Sequence, residues 1–375
     1  MLVNFEMASI KVIVICLVCN YSNHLLTIFA TLSFIFLYKF AVIGVIIAHT
    51  DIVACGCLVS IVPSYFICRW YAFQFRGGNF KCTSKTSLIG KTVIITGGNS
   101  GIGKGAAIHL ARRGARVILA CRNAQKAQEA ITEITSCTGN QNIVFRKLDL
   151  LSFKSVREFA DRILQEEERL DVLINNAGIP DTNTHDEDRT PFPSEDGYSQ
   201  SFQVNHFSHF LLTNLLLDLL KKSSPSRVVN VTSRLNTAPT KLDFTVGDGN
   251  VRYPKLTHYT KGKLANVLFT KEFAKRMEGT GVTSYSVDPG IIFSNIWEKQ
   301  ITKWKVHAMS LIFWLLFCDE LSGSENTVYC AVEEGLQSGL VYFDCRPSRH
   351  VNPLIKNDEL REKLWNVSLE VTDLK

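Results

Sequence analysis

One run of eight residues, Thr96-Gly97-Gly98-Asn99-Ser100-Gly101-Ile102-Gly103, constrains this chain more than any other. It follows Lys91–Thr96, a brief β-branched run, and leads straight into Lys104–Arg113, whose apolar residues recur at helical spacing. A strand that turns through glycines into a helix gathers free N–H groups and the positive end of a helix dipole at one point. That arrangement suits a pyrophosphate. The surrounding chain must therefore present this loop at the carboxyl end of a strand.

Downstream, Arg116–Ala120, Ile143–Lys147, Val172–Asn175, Arg227–Thr232 and Thr283–Val287 read as buried parallel strands, because each is short, rich in Val or Ile and bounded by turn residues. Val341–Phe343 reads as a final strand. The periodic stretches Ala124–Ser136, Phe153–Glu168 and Lys263–Met277 fit crossover helices between them. This alternation predicts an α/β fold, a doubly wound and mostly parallel sheet of the Rossmann type, with ligands at the carboxyl ends of the strands.

At 375 residues the chain holds one such domain and an appendage. The appendage is N-terminal, where residues 1–70 contain three apolar runs: Ile10–Cys19, Leu25–Ile47 and Ile52–Cys68. A spanning helix needs about 20 mainly apolar residues. Leu25–Ile47 meets that length, Ile52–Cys68 is borderline, and the first run is short enough to be signal-like or interfacial. Arg69, Arg76, Lys81, Lys85 and Lys91 follow with no acid among them, whereas Asp51 precedes the last run. The positive-inside tendency then places the rest of the chain in the cytosol. The expected organisation is a membrane anchor over 1–70, a basic linker over 71–90 and a dinucleotide-binding domain over 91–375.

A formal charge of +6 is too mild for a dedicated nucleic-acid binder. Five of the eleven cysteines fall in the apolar region, and the others lack the paired spacing of a disulfide scaffold or zinc module. No metal site is expected, and a reducing compartment is.

The end of the second strand chooses the cofactor, because an acid there binds a ribose 2′-hydroxyl while a cation accommodates a 2′-phosphate. The chain reads Ala120-Cys121-Arg122-Asn123, and its next acid is Glu129. With Lys104 as a second cation, Arg122 favours NADP(H). Hydride exchange with a carbonyl carbon further requires a proton-exchanging group beside the oxygen. Tyr259 and Lys263 stand at i and i+4 and share a helix face, where an ammonium favours the tyrosinate over a phenol that starts at a pKa of about 10.

The spacing T-G-x-x-x-G-x-G, the run Asn175-Asn176-Ala177-Gly178, the Tyr259-x-x-x-Lys263 pair and the turn Asp288-Pro289-Gly290 occur in the order that resembles the short-chain dehydrogenase/reductase family. The resemblance implies that Tyr259 is the acid/base and Lys263 its tuning partner, that Ser233 hydrogen-bonds the reacting oxygen, and that Asn205 supports a water in the proton relay. It further implies cofactor contacts from Thr96, Gly97, Ser100, Gly101, Ile102, Gly103, Arg122, Asp149, Asn176, Lys263, Pro289 and Gly290. Homodimerisation is common in that family.

Within the family, the apolar N-terminus, the Ala-Cys-Arg-Asn strand end, the run from Lys263 to Thr270 and the long gap between Ser233 and Tyr259 look like the membrane-bound retinol dehydrogenase branch. That likeness implies a small lipophilic substrate of retinoid type and an endoplasmic-reticulum membrane with the catalytic domain facing the cytosol. A steroid or fatty-aldehyde carbonyl reductase is the nearest alternative, and a low-turnover lipid-binding or scaffold protein is a third. Ala308–Cys318 is apolar almost throughout and reads as a substrate lid, a buried helix or a dimer contact. Two features depart from the family pattern: Gly262 before the lysine, and the acidic insert Asp181–Arg189, which is either a loop at the pocket mouth or surface decoration.

Overall fold

The computed structural model describes residues 80–180, 193–242, 257–290 and 319–374. The expected anchor over 1–70, most of the linker, the acidic insert and Ala308–Cys318 lie outside these residues. Among the described residues, no helix is long and apolar enough to cross a membrane.

The strands are β1 (Thr92–Thr96), β2 (Arg116–Cys121), β3 (Ile143–Lys147), β4 (Val172–Asn175), β5 (Ser226–Val231), β6 (Val282–Asp288), β7 (Val341–Phe343) and β8 (Arg346–Pro347). They form one sheet in the order β3-β2-β1-β4-β5-β6-β7-β8. All pairs are parallel except β7 with β8. The order reverses at β1, so the crevice between the carboxyl ends of β1 and β4 is the switch point at which such sheets take ligands.

The helices are α1 (Gly101–Arg112), α2 (Ala124–Thr138), α3 (Phe153–Glu166), α4 (Gln200–Phe202), α5 (Ser208–Leu215), α6 (Leu217–Lys222), α7 (Thr257–Arg276), α8 (Glu320–Val332) and α9 (Asp358–Val371). A π-helical turn, Gln203–Phe207, joins α4 to α5. Local chemistry sets several starts: the side chains of Asn123, Ser152 and Asp319 accept hydrogen bonds from the backbone N–H groups of Lys126, Ser155 and Ser322. Helices α1, α2 and α8 bury small and branched residues such as Ala107, Ile134 and Val328 on one face of the sheet. On the other face, α3, α5 and α7 close over Ile94, Leu173 and Val228 with Phe159, Leu211 and Phe273. Both faces are covered, as parallel sheets require.

The structure departs from the sequence reading at particular ends. Helix α1 begins at Gly101, ahead of the periodic run from Lys104, because glycines carry no apolar signal. Helix α7 already includes Thr257, ahead of Lys263, so Tyr259 and Lys263 sit on one continuous helix. Strand β3, expected to be buried, is a sheet edge and is mostly half-buried.

Candidate active site

Backbone geometry builds the first part of the site. Gly97 adopts φ +65° at the end of β1, in the left-handed region. A Cβ on Gly103 would lie 2.5 Å from both the Gly97 carbonyl oxygen and Asn176 Nδ2, so only glycine lets α1 start this close to the strand end. The result is a cradle opening on the first turn of α1, with Ser100 extended at its N-cap and offering no side-chain cap. These residues fit a dinucleotide pyrophosphate.

Two residues expected to touch the cofactor, Thr96 and Asn176, turn their side chains toward each other's backbone instead. Thr96 is wholly buried, and its Oγ1 accepts from the backbone N–H groups of Asn176 (2.8 Å) and Ala177 (2.9 Å). Asn176 Nδ2 in turn donates to the Thr96 carbonyl at 2.8 Å. Together they bolt the end of β4 beneath the loop, so they shape the cradle from behind. Asp149 Oδ1 accepts from Leu151 N at 3.0 Å within the turn after β3.

Arg122 is exposed immediately beyond β2. Lys104 reaches Glu133 on α2 at 3.1 Å and Glu320 at 3.8 Å. Asn99, Lys104, Lys126, Glu129, Ala130 and Glu133 line a surface cavity of about 170 Å³ beside the loop. Glu320 Oε1 also accepts from Gly101 N at 3.1 Å, placing an anion of the chain itself on the helix start.

The reactive groups converge over Gly178. Lys263 is 3% exposed and its Nζ donates to the Val231 carbonyl, at the end of β5, at 3.0 Å. Burial lowers its pKa from 10.5 to about 8. Its ammonium lies 5.8 Å from the centroid of the Tyr259 ring, one helical turn earlier. Asn205, fully buried in the π turn, donates through Nδ2 to Ser201 O (2.7 Å) and Ile179 O (2.8 Å). Among the described residues, its Oδ1 has no partner. A Cβ on Gly178 would meet that Oδ1 at 2.7 Å and Lys263 Nζ at 3.1 Å, which locates the amide oxygen and the ammonium beside the same point. A buried acceptor without a protein donor is costly, and a water or substrate hydroxyl fits it.

The π turn makes this arrangement possible. The Asn205 carbonyl accepts from Asn266 Nδ2 on α7 at 2.7 Å, stitching the turn to the helix that carries Tyr259 and Lys263. Gly262 contributes here: a Cβ on it would come within 3.3 Å of Asn205 Cβ, so the departure from the family pattern permits the close approach of α7. His206 and His209 are committed to Asn266, Ser368 and Thr96, and burial lowers their pKa values to about 4 and about 3. Both are neutral structural rings.

Ser233 caps the 3₁₀ turn Arg234–Thr237, and its Oγ accepts from Leu235 N at 3.3 Å, which leaves the hydroxyl proton to be donated. Helix α7 packs directly on that turn. At the end of β6, Pro289 is buried and the Gly290 N–H donates to Asp288 Oδ1 at 3.0 Å. Arg234 and Glu320 act across long separations and carry no local motif; Asn266 and Asp288 stand inside quoted motifs, but their contacts to the π turn and to Arg234 leave no mark in the sequence.

Fold and site together define an oxidoreductase of the dinucleotide-dependent α/β class. A family pattern described as short chain dehydrogenase matches residues 91–305. Retinol dehydrogenase 12 of Mus musculus is 42% identical over 304 residues, spanning 79% of this chain and 90% of that one. Retinol dehydrogenase 13 of Homo sapiens is 41% identical over 299 residues, spanning 78% and 88%. Among solved structures, a Mycobacterium paratuberculosis protein superposes with a TM-score of 0.61 at 28% identity, covering 78% of this chain and 97% of that one. The Pseudomonas aeruginosa RhlG/NADP complex superposes at 0.55 with 24% identity, covering 68% and 94%, and shows the shared fold. The chain belongs to the short-chain dehydrogenase/reductase family, on its retinol dehydrogenase branch.

Proposed function

We propose that this protein is an NADP(H)-dependent oxidoreductase that interconverts a lipophilic alcohol and its aldehyde or ketone, with a retinoid as the substrate class. The observation that carries the reading is the convergence of Lys263 Nζ and Asn205 Oδ1 over Gly178, beside Tyr259 on the same helix. The likeness to retinol dehydrogenases supports the substrate class. Arg122 beyond β2 and the lysines of the neighbouring cavity supply cations for a 2′-phosphate, which favours NADP over NAD.

The bound nicotinamide would supply or accept the hydride. The chain's own groups handle the oxygen and its proton. Tyr259 delivers a proton to the carbonyl oxygen, Ser233 donates a hydrogen bond that holds that oxygen, and the Lys263 ammonium favours the tyrosinate left behind. Asn205 Oδ1 holds a water by which Tyr259 is reprotonated. In the oxidising direction each proton runs backwards. Because cells generally keep NADP reduced, carbonyl reduction is the working direction.

The apolar runs over 1–70 and the basic residues after them support attachment to an endoplasmic-reticulum membrane, with the catalytic domain in the cytosol and the substrate arriving from the bilayer.

The test is NADPH consumption with all-trans-retinal by the detergent-solubilised protein, with NADH as the cofactor control. Tyr259→Phe should reduce turnover by roughly 10²–10⁴-fold while leaving NADPH binding intact. Turnover that survives the substitution would remove Tyr259 from the mechanism. NADPH binding without retinal reduction would instead move the substrate to a steroid or fatty aldehyde.

A further inference from the structure

Two charged side chains, one buried and one partly buried, stand at the reactive edge of the sheet without a role in the chemistry above. Arg234 follows Ser233, and Asp288 precedes the Pro289-Gly290 turn. Arg234 Nε donates to Asp288 Oδ2 at 2.6 Å, with the two side chains 13% and 2% exposed. The other carboxylate oxygen accepts from Gly290 N at 3.0 Å. One carboxylate thus holds both the segment after β5 and the turn after β6. The guanidinium lies 4.3 Å from the centroid of the Phe343 ring on β7. Asn326 Nδ2 on α8 donates to the Asp288 carbonyl at 3.0 Å and to the Tyr342 carbonyl at 2.9 Å, which fixes the same residue from the helix side.

Ser233 lies between two attachments to β6. On one side Thr232 N donates to the Val287 carbonyl at 2.7 Å, extending the β5–β6 ladder. On the other side Arg234 holds Asp288. We infer that the Arg234–Asp288 ion pair is a positioning device that fixes Ser233 in register with the Pro289-Gly290 turn, so that the hydrogen-bond donor and the turn expected to contact the cofactor keep one spacing. The inference rests on the proposed role of Ser233 and on the cofactor contact expected of that turn.

A stability role alone explains the pair poorly. Two charges withdrawn from water at such burial repay little or nothing of their desolvation compared with apolar side chains of similar volume. Geometry at the reacting atoms is where such a cost has a return, because a displacement of about 1 Å lowers a rate by roughly 10²-fold.

The variants Arg234→Gln, Asp288→Asn and the double variant test this, each measured as full-length detergent-solubilised protein. The readings are kcat and KM for the carbonyl, NADPH affinity by fluorescence, and the kinetic isotope effect with NADPH deuterated at the transferred position. Each single substitution is expected to lower kcat by roughly 10- to 100-fold, with KM and NADPH affinity changed by less than about threefold and a larger isotope effect as hydride transfer becomes limiting. The double variant, in which two neutral amides can pair, should be no worse than the poorer single. Unchanged kcat per folded site, an unchanged isotope effect, or additive losses in the double variant would overturn the inference. If either single variant fails to fold, Arg234→Lys, which keeps the charge without the planar fork, gives the same readings. Wild-type protein that reduces no carbonyl would refute the proposed function itself; an active wild type beside unaffected variants refutes only the positioning role.

Discussion

A lysine amine enclosed by protein is disfavoured in its charged form, and burial accordingly lowers the pKa of Lys263 to about 8. Against an ordinary value of 10.5, the shift corresponds to about 3 kcal/mol. Below pH 8 the folded and unfolded chains both hold the proton, and the penalty is present in full. Between pH 8 and 10.5 the unfolded chain binds more protons, so this residue's contribution to stability improves as pH rises through that window. At neutral pH, Lys263→Met therefore removes the penalty and leaves the Val231 carbonyl without its donor, a loss of about 1 kcal/mol. The expected result is a variant more stable by about 2 kcal/mol in urea denaturation and inactive in turnover. A less stable Lys263→Met protein would show that the hydrogen bonds of the amine outweigh the cost of its burial. The i,i+4 relation of Tyr259 and Lys263 was legible in the sequence because both lie on one helix. The inward turn of Thr96 was not, because nothing in a glycine-rich motif reveals which side of the loop a threonine faces.

Elements carry the same lesson at longer range. Strands were legible to within a residue or two because β-branched runs between turn residues leave little freedom in where a buried strand starts. The π turn at Gln203–Phe207 left no such mark, since one extra residue per turn changes spacing without changing composition. Strand β8 and helix α9 had no counterpart in the sequence reading, the strand because two residues hold no period. The start of α8 belongs with these. Its Glu320 carboxylate occupies Gly101 N, at the end of α1 where a pyrophosphate is expected, and like charges there oppose one another. Glu320→Gln should tighten NADPH binding by roughly two- to fivefold in a fluorescence titration, the range of one charge at a helix terminus. Unchanged or weaker binding would mean that the carboxylate serves only to satisfy the α1 backbone.

For the whole molecule, the sheet, both helical layers and the converging site groups all lie within one compact unit, Arg76–Lys375. The three apolar runs precede it, and their proposed purpose is to bring the site to a substrate dissolved in lipid. Catalysis and delivery should then be separable. A chain beginning at Arg76 is expected to fold, to bind NADPH with the affinity of the full protein, and to reduce a short water-soluble aldehyde at a similar kcat. It should lose co-sedimentation with phospholipid vesicles and most of its activity on retinal presented in those vesicles. Basic residues such as Arg76, Lys81 and Lys85 remain in the shortened chain, and any residual binding they cause should require anionic lipid and vanish at high salt. Salt-resistant vesicle binding by the shortened chain would place the membrane contact inside the catalytic unit. Loss of NADPH binding on truncation would show that the first 75 residues help to build the site.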